Sequence, residues 1–537
     1  MFEQPLTPVA DSLWLSSLVA ALPVGVVLLL LGVLRRSATA AAVAGLATAL
    51  TVAIAVWRMP PSLAAATVAH GATFALWPVT WIVVNALLLY NVAVASGRFD
   101  AFRRWLIANL PDDRRVLLVV VGFCFGALFE GIAGFGTPVA ITASLLATVG
   151  FAPLDALVYV LIFNTAPVAF GALGTPVTVL GAVTGLPPAV LGAMIGRQLP
   201  LIALVLPFYV VFLYGGRRSV RATWPLLAVA GGSFGAIQFV VSNFIDYALT
   251  DVLSSLGSLV ASLAFLRVWR PEADPAYALV RRAPDAPGPA APAAVADAHG
   301  WLPWAVVAAT VIAWTSLKLV SAGQMKIAWP GLHHAVSITL YGGRPYDAVW
   351  TFQPLGTGTA ILVASLLTAI AVRMTPRAFV ACIATTLRQY VRPAIAVVLI
   401  IALAYVMNYS GLAYTLGLAA ASTGHAFVLL SPFLGWLAVM LSGSDTSGNA
   451  LFGNLQVVAA RQLGLDAVLF AATNSSGGVT GKMVSPQNIA TGVSITGLQG
   501  REGEVFARTF PHSLLLTLLL AALVALQQYW LRGTIAH

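Results

Sequence analysis

The chain has 537 residues, 59% of them apolar and only 9% charged, with a mean hydropathy of +0.91. Soluble domains carry about a quarter charged residues, so this composition excludes a soluble fold and defines an integral membrane protein. The net charge of +10 does not point to nucleic acid, because the basic residues cluster in short loops between apolar runs, the positive-inside pattern of a membrane chain.

The acidic start MFEQPLTPVAD precedes the first apolar run, and Arg35-Arg36 follows it, the reverse of a signal peptide. A first helix is therefore expected over 12–34, with its N-terminus outside. Helices over 37–57 and 72–96 come next, then a basic stretch, 97–115, placed in the cytoplasm. An apolar region from 116 to 184 is punctured by two Gly/Pro-rich motifs, FEGIAGFGTP and NTAPVAFGALGTP. Helices are expected over 187–214, 224–246 and 249–266, with basic GGRRSVR between the first two. Residues 267–300 are rich in Pro and Ala without apolar periodicity and read as a flexible cytoplasmic linker. That linker divides an N-terminal membrane half, 1–266, from a C-terminal half, 301–537. The second half offers helices over 301–320, 356–373, 391–417, 426–443 and 510–531, an outside loop at 324–352, and a broken region at 444–492. The fold class is an all-α polytopic membrane protein with about 12–14 crossings.

The two broken regions share a motif. In Asn164–Pro176 and Asn474–Pro486, Asn164 matches Asn474, Gly171 matches Gly481, Thr175 matches Ser485 and Pro176 matches Pro486. Loop charges place the first region's entry inside and the second's outside, which implies two inverted repeats with broken or re-entrant segments. Irregular backbone is tolerated in a bilayer only where protein buries it or water reaches it, so these segments are the candidate binding site.

Glu130 lies deep in an apolar stretch, where an ionisable group costs roughly 2.5 kcal/mol or more unless paired or hydrated. It is either a proton carrier or a structural carboxyl bonded to the Gly-rich break. Asp445, in LSGSDTSGNALFGN, is placed broadly alike in the second half and is either a second proton candidate or a helix cap. Lys482 is the cation inside the Asn repeats; it attracts a substrate carboxylate, snorkels, or pairs with Asp445 or Glu130. Arg197 sits within its helix and pairs with a carboxylate of the substrate or of the protein. Asn164, Thr165, Thr175, Ser444, Thr446, Asn474, Ser475, Ser476, Ser485, Gln487 and Asn488 supply neutral donors and acceptors for a small hydroxylated anion. Asp155 and Asp466 read as helix N-caps. Cys124 and Cys382 form no disulfide framework, the histidines are scattered apart from His333-His334, and there is no nucleotide-binding motif. No cofactor, metal or nucleic-acid partner is expected, and transport powered by an ion gradient remains.

At GFCFGALFEGIAGFGTPVAITA (122–143), NTAPVAFGALGTPVTV (164–179), GRQLP (196–200), AYVMNYSG (404–411), SPFLGWLAVMLSGSDTSGNALFGNLQ (431–456) and NSSGGVTGKMVSPQNIATG (474–492) the sequence resembles the L-lactate permease family. The resemblance implies a secondary transporter of the bacterial inner membrane, with no enzymatic activity, that moves L-lactate, D-lactate or glycolate with protons. It also implies, more loosely, a fold with two opposed hairpins and broken helices. A lactate exchanger without net proton movement and an anion channel are the alternatives.

Overall fold

Apolar runs long enough to span a bilayer set the frame, and the breaks between them set the site. The computed structural model describes residues 1–34, 36–132, 137–279 and 297–537. The chain opens with β1 (Phe2–Glu3), α1 (Leu13–Leu28), extended by a π-helical turn to Val33, and α2 (Ala38–Ala55). The helix expected over 72–96 starts earlier and is broken: α3 (Pro61–Phe74) and α4 (Trp81–Ala95) flank Trp77, which leaves helical geometry at φ −136°, ψ 111°. Pro78 explains the break, because proline disfavours the α conformation in the residue before it. The basic stretch is itself partly helical, α5 (Arg98–Ala108) and α6 (Arg114–Leu117), and leads through a π-helical segment, Leu118–Phe125, into α7 (Gly126–Ile132).

Two helices, α8 (Thr137–Thr148) and α9 (Pro153–Phe163), pack as a hairpin. A break after α9 turns the chain by 66° into α10 (Gly171–Thr184). The two helices expected over 187–246 form one element, α11 (Pro188–Phe244), interrupted at Gly215-Gly216, where Gly216 has φ +64°. A short turn leads to α12 (Thr250–Val268). Residues 280–296, the middle of the expected linker, lie outside the described residues. The start of the expected linker is held by side chains of α6 and α11. Arg115 donates to the Glu272 carbonyl at 3.2 Å, Arg114 donates to that of Ala276 at 2.7 Å, and Arg218 pairs with Asp274 at 3.0 Å.

The second half begins with α13 (Leu302–Ser316). The expected outside loop carries strands: β2 (Met325–Ala328) pairs antiparallel with β5 (Val349–Phe352), and β3 (Val336–Ile338) lies between β1 and β4 (Arg344–Pro345). Then come α14 (Thr357–Ala371), α15 (Pro376–Ser410) and α16 (Leu412–Ala421). The expected helix over 391–417 thus starts well before its apolar core and breaks at Gly411, which has φ +102°. The last five helices are α17 (Phe427–Ser442), α18 (Asp445–Gln462), α19 (Ala467–Lys482), α20 (Pro486–Thr496) and α21 (Glu502–Tyr529).

By length and composition nine helices among the described residues can cross a membrane, ten if the bent α9–α10 pair is one span. The remainder of the expected 12–14 would come from short pieces such as α8, α18 and α19. These carry too many polar residues or too few residues to pass alone, and α18 and α19 are buried almost throughout. Packing between the broken regions is reciprocal: α10 lies on α18, and α20 lies on α8. The tightest contact is α17 on α19, where Gly477 and Gly481 face the carbonyls of Pro432 and Trp436 with no room for a Cβ. This Gly-x-x-x-Gly spacing lets two backbones touch where lipid supplies no hydrophobic drive.

Candidate functional site

Where the breaks meet, a cavity of about 40 Å³ opens between α7, α10, α18 and α19. That is room for about three or four waters at roughly 10–15 Å³ each. Glu130, Asp445 and Lys482 line it, with Ser444, Thr446 and Gln487. All three charged residues are buried: Glu130 is 2% exposed, Asp445 3% and Lys482 5%.

Lys482 ends α19, and its Nζ reaches across to pair with Oε1 of Glu130 on α7. The second oxygen, Oε2, accepts from Asn164 Nδ2 at 3.0 Å. Asn164 is placed there because it caps the C-terminus of α9, where the chain breaks. Gly171 lets α10 begin directly against this carboxyl, since a Cβ there would lie 3.2 Å from Oε1. Glu130 and Lys482 thus pair with each other in this structure, in surroundings where an uncompensated charge would cost several kcal/mol.

At the other side of the cavity, Ser444 caps α18, accepting from Ser447 N at 3.4 Å, and Asp445 is the first helical residue. The expected cap is therefore Ser444, with Asp445 one place inside. Ser475 donates to Asp445 Oδ2 at 2.5 Å and Asn449 donates at 3.2 Å, while Oδ1 has no partner among the described residues. Glu130 and Asp445 are not equivalent in the two halves: Glu130 lies on the helix before its break, Asp445 on the helix after. Gly443, at φ +72°, makes the turn between α17 and α18, and Asn488 Nδ2 holds its carbonyl at 3.0 Å.

The cavity wall on α10 has a left-handed turn: Ala172 (φ 45°, ψ 49°), Leu173 (φ 54°, ψ 49°) and Gly174 (φ 73°, ψ 16°). For a non-glycine residue this conformation costs about 1–2 kcal/mol, and such strain concentrates at functional sites. Thr175 steadies the turn by donating to the Ala172 carbonyl at 2.7 Å.

The remaining candidates separate. Asn474 does not mirror Asn164: it sits in mid-α19, donating to Asn449 Oδ1 at 2.9 Å and accepting from Gln456 Nε2 at 3.3 Å, so it ties α18 to α19. Thr165, Ser476 and Ser485 are buried hydroxyls without a partner among the described residues. Arg197 is not brought to the cavity. Among the described residues it pairs with no carboxylate, donating to Asn243 at 2.8 Å and to the Thr534 carbonyl at 3.1 Å on the edge of an apolar groove of about 660 Å³. Asp466 caps α19 as expected, whereas Asp155 lies in the first turn of α9, exposed and paired with Arg508 at 2.6 Å. His333, His334 and Asp347 bring possible metal-ligating atoms within 4.8 Å of one another, in the strand-bearing loop and not at the cavity.

Sequence reading missed Asp251. It is 1% exposed on the first turn of α12, and packs against Gly131 beside Glu130. An acid within a run otherwise apolar enough to span a membrane was the signal.

Buried broken helices around a small charged cavity, inside a bundle of membrane-length helices, define a multi-pass membrane transporter. The family model described as L-lactate permease matches residues 16–531, and the chain belongs to that family. It is 41% identical to the L-lactate permease of Salmonella typhimurium, over 98% of both chains. It is likewise 41% identical to the glycolate permease GlcA of Escherichia coli, over 97% of both. Among solved structures, the YdaH transporter of Alcanivorax borkumensis matches with TM-score 0.47 and 16% identity, covering 88% of this chain and 89% of that one. The family is one of permeases, not of enzymes.

Proposed function

We propose that the protein is a proton symporter for L-lactate and related small 2-hydroxymonocarboxylates, glycolate and D-lactate included, in the bacterial inner membrane, with its N-terminus outside. The carrying observation is the buried Glu130–Lys482 pair at the edge of the cavity. One cation there has two possible anionic partners. When a substrate carboxylate takes Lys482, Glu130 loses its counter-charge and is left in a site too dry to hold it ionised. Taking up a proton restores neutrality, so loading brings one substrate and one proton together. The empty carrier, with the ion pair closed, and the doubly loaded carrier are both neutral and free to reorient; the half-loaded forms carry an uncompensated charge.

The hydroxyl of the substrate has neutral partners close by, in Ser444, Thr446 and Gln487. At about 40 Å³ the cavity is the closed, empty form and must widen to admit lactate. Two features support a pair of inverted repeats, 1–266 and 301–537, as its frame: the shared Asn-to-Pro motif and the reciprocal packing of α10 on α18 and α20 on α8.

The reading is tested by following pH while lactate binds to the detergent-solubilised protein in weak buffer. The wild type should take up about one proton per lactate bound, and Glu130→Gln none. Binding without proton uptake in the wild type would refute it.

A further inference from the structure

Glu130 is buried while the cavity is closed, so a proton that reaches it in that form comes through the protein. Besides Asp445 across the cavity, a further buried carboxyl packs against the residue next to Glu130. Asp251, in the first turn of α12, has both Oδ1 and Oδ2 without a hydrogen-bond partner among the described residues. Its carboxyl lies flat against Gly131, the residue next to Glu130: a Cβ on Gly131 would sit 3.0 Å from Oδ2 and 3.2 Å from Cγ. Only the missing side chain at Gly131 lets α12 bring an acid this close.

The charges that bear on Asp251 are Glu130 and Lys482. Each element packed against α12 fits this count. From α7 comes Glu130, from the π-helical segment the thiol Cys124, which contacts Ser258 at 3.3 Å, and from the preceding turn Tyr247, whose hydroxyl bonds Thr178 at 3.2 Å. The segment of α10 facing α12 has no titratable residue. On α11, Arg197 is held by Asn243 and Thr534, Tyr209 bonds His512 at 2.6 Å, Tyr214 packs on Phe151 and Tyr277, and Arg217, Arg218 and Arg221 lie near the Gly215-Gly216 break. Lys482 is already taken by Glu130. A carboxylate with neither a hydrogen bond nor a free counter-ion among the described residues is costly in such a place, and holding a proton removes that cost.

Toward the membrane face, the turn before α12 offers Asp246, half-buried, accepting from Ala248 N at 2.9 Å and Thr315 at 3.4 Å. The 3₁₀ turn Tyr247–Leu249, at about 2 Å per residue, and the first two residues of α12, at about 1.5 Å each, put Asp251 roughly 9 Å further along. Three carboxyls thus run from the face inward: Asp246, Asp251, Glu130.

We propose that Asp251 is the proton relay of the carrier, passing protons between the aqueous face at the α11–α12 turn and Glu130. When substrate takes Lys482, the Asp251 O–H gives its proton to the Glu130 carboxylate, and the transient Asp251 carboxylate is reprotonated from the Asp246 side. Release reverses both steps. The proposal rests on the symport reading above.

The test uses full-length protein in proteoliposomes: wild type, Asp251→Asn and Asp251→Glu. An amide keeps the shape but carries no proton. In lactate–lactate exchange at equal pH and saturating lactate, one anion replaces another before Lys482 closes on Glu130, so Glu130 keeps its proton and Asp251→Asn should retain exchange within about twofold, while net uptake driven by an inward proton gradient falls about tenfold or more, the scale of a lost proton-transfer group. Asp251→Glu should recover much of that rate. Infrared difference spectra of the substrate-free protein on raising pH should show a protonated-carboxyl stretch that is absent from Asp251→Asn. Gradient-driven uptake by Asp251→Asn at the wild-type rate, with an unchanged pH profile, overturns the relay and leaves symport standing. If Asp251→Asn loses exchange as well, the infrared band decides: its absence from the variant supports the relay, its persistence overturns it. A wild type that never concentrates lactate removes the symport reading, and the relay with it.

Discussion

Lys482 and Glu130 stand 352 positions apart in sequence, and the last residue of α19 neutralises the central carboxyl of α7. Each half of the chain contributes one charge, so neither half can bury its own residue without the other.

Breaking that pair from one side should be worse than removing it. Lys482→Met leaves Glu130 buried and uncompensated, a loss of about 3–5 kcal/mol. Thermal unfolding in detergent should show a marked fall for Lys482→Met and recovery in Lys482→Met/Glu130→Gln. Neither variant should bind lactate. Equal stability of the single and double variants would mean the two charges do not depend on each other.

Asp445 separates from Glu130 in function. Its Oδ2 holds Ser475 and Asn449, and the amide of Asp445→Asn retains much of this geometry. Weakening a buried hydrogen bond costs about 0.5–1.5 kcal/mol, so stability and lactate affinity should fall. The stoichiometry of about one proton per lactate should stay, because Glu130 is intact. A variant that binds lactate but takes up no proton would make Asp445 the proton site.

The α17–α19 contact tolerates no added atoms. Gly481→Val would drive a side chain into the Trp436 carbonyl, which is backbone and cannot move aside. Overpacking of this kind costs about 1–3 kcal/mol and displaces Lys482, one residue on. Uptake and thermal stability should both fall. Gly503→Ala, where nothing lies within 4 Å, is the matched control and should change neither.

Arg197 lies on a separate apolar groove, held by Asn243 and Thr534. Arg197→Gln should keep lactate uptake within about twofold, with a stability change near 0.5 kcal/mol. Loss of lactate affinity alone, at full stability, would bring Arg197 into the site.

Much of this site was legible because charges are rare in an apolar chain. Glu130, Asp445 and Lys482 stood out on cost alone, and the cavity gathers all three. Both copies of the Asn motif reach the cavity, but their asparagines play different structural parts. Identical letters at 164 and 474 became a helix C-cap in one copy and a mid-helix bridge in the other, because α19 runs on to Lys482 while α9 stops at Phe163. The left-handed turn at Ala172–Gly174 had no local signal: alanine and leucine do not choose it, and the packing around them imposes it. Asp251 lies at the start of the helix expected over 249–266, and its isolation is visible only with α12 seated on Gly131. The early starts of α3 and α15 were missed for another reason, since their first turns are too polar or too small to read as membrane helix.

The most direct test of the coupling is uptake of radiolabelled L-lactate into proteoliposomes under an inward proton gradient, comparing wild type with Glu130→Gln. The account predicts that the wild type concentrates lactate above its outside level and that Glu130→Gln only exchanges it. If the wild type merely equilibrates lactate, or if Glu130→Gln concentrates it equally well, the coupling through Glu130 and Lys482 is wrong.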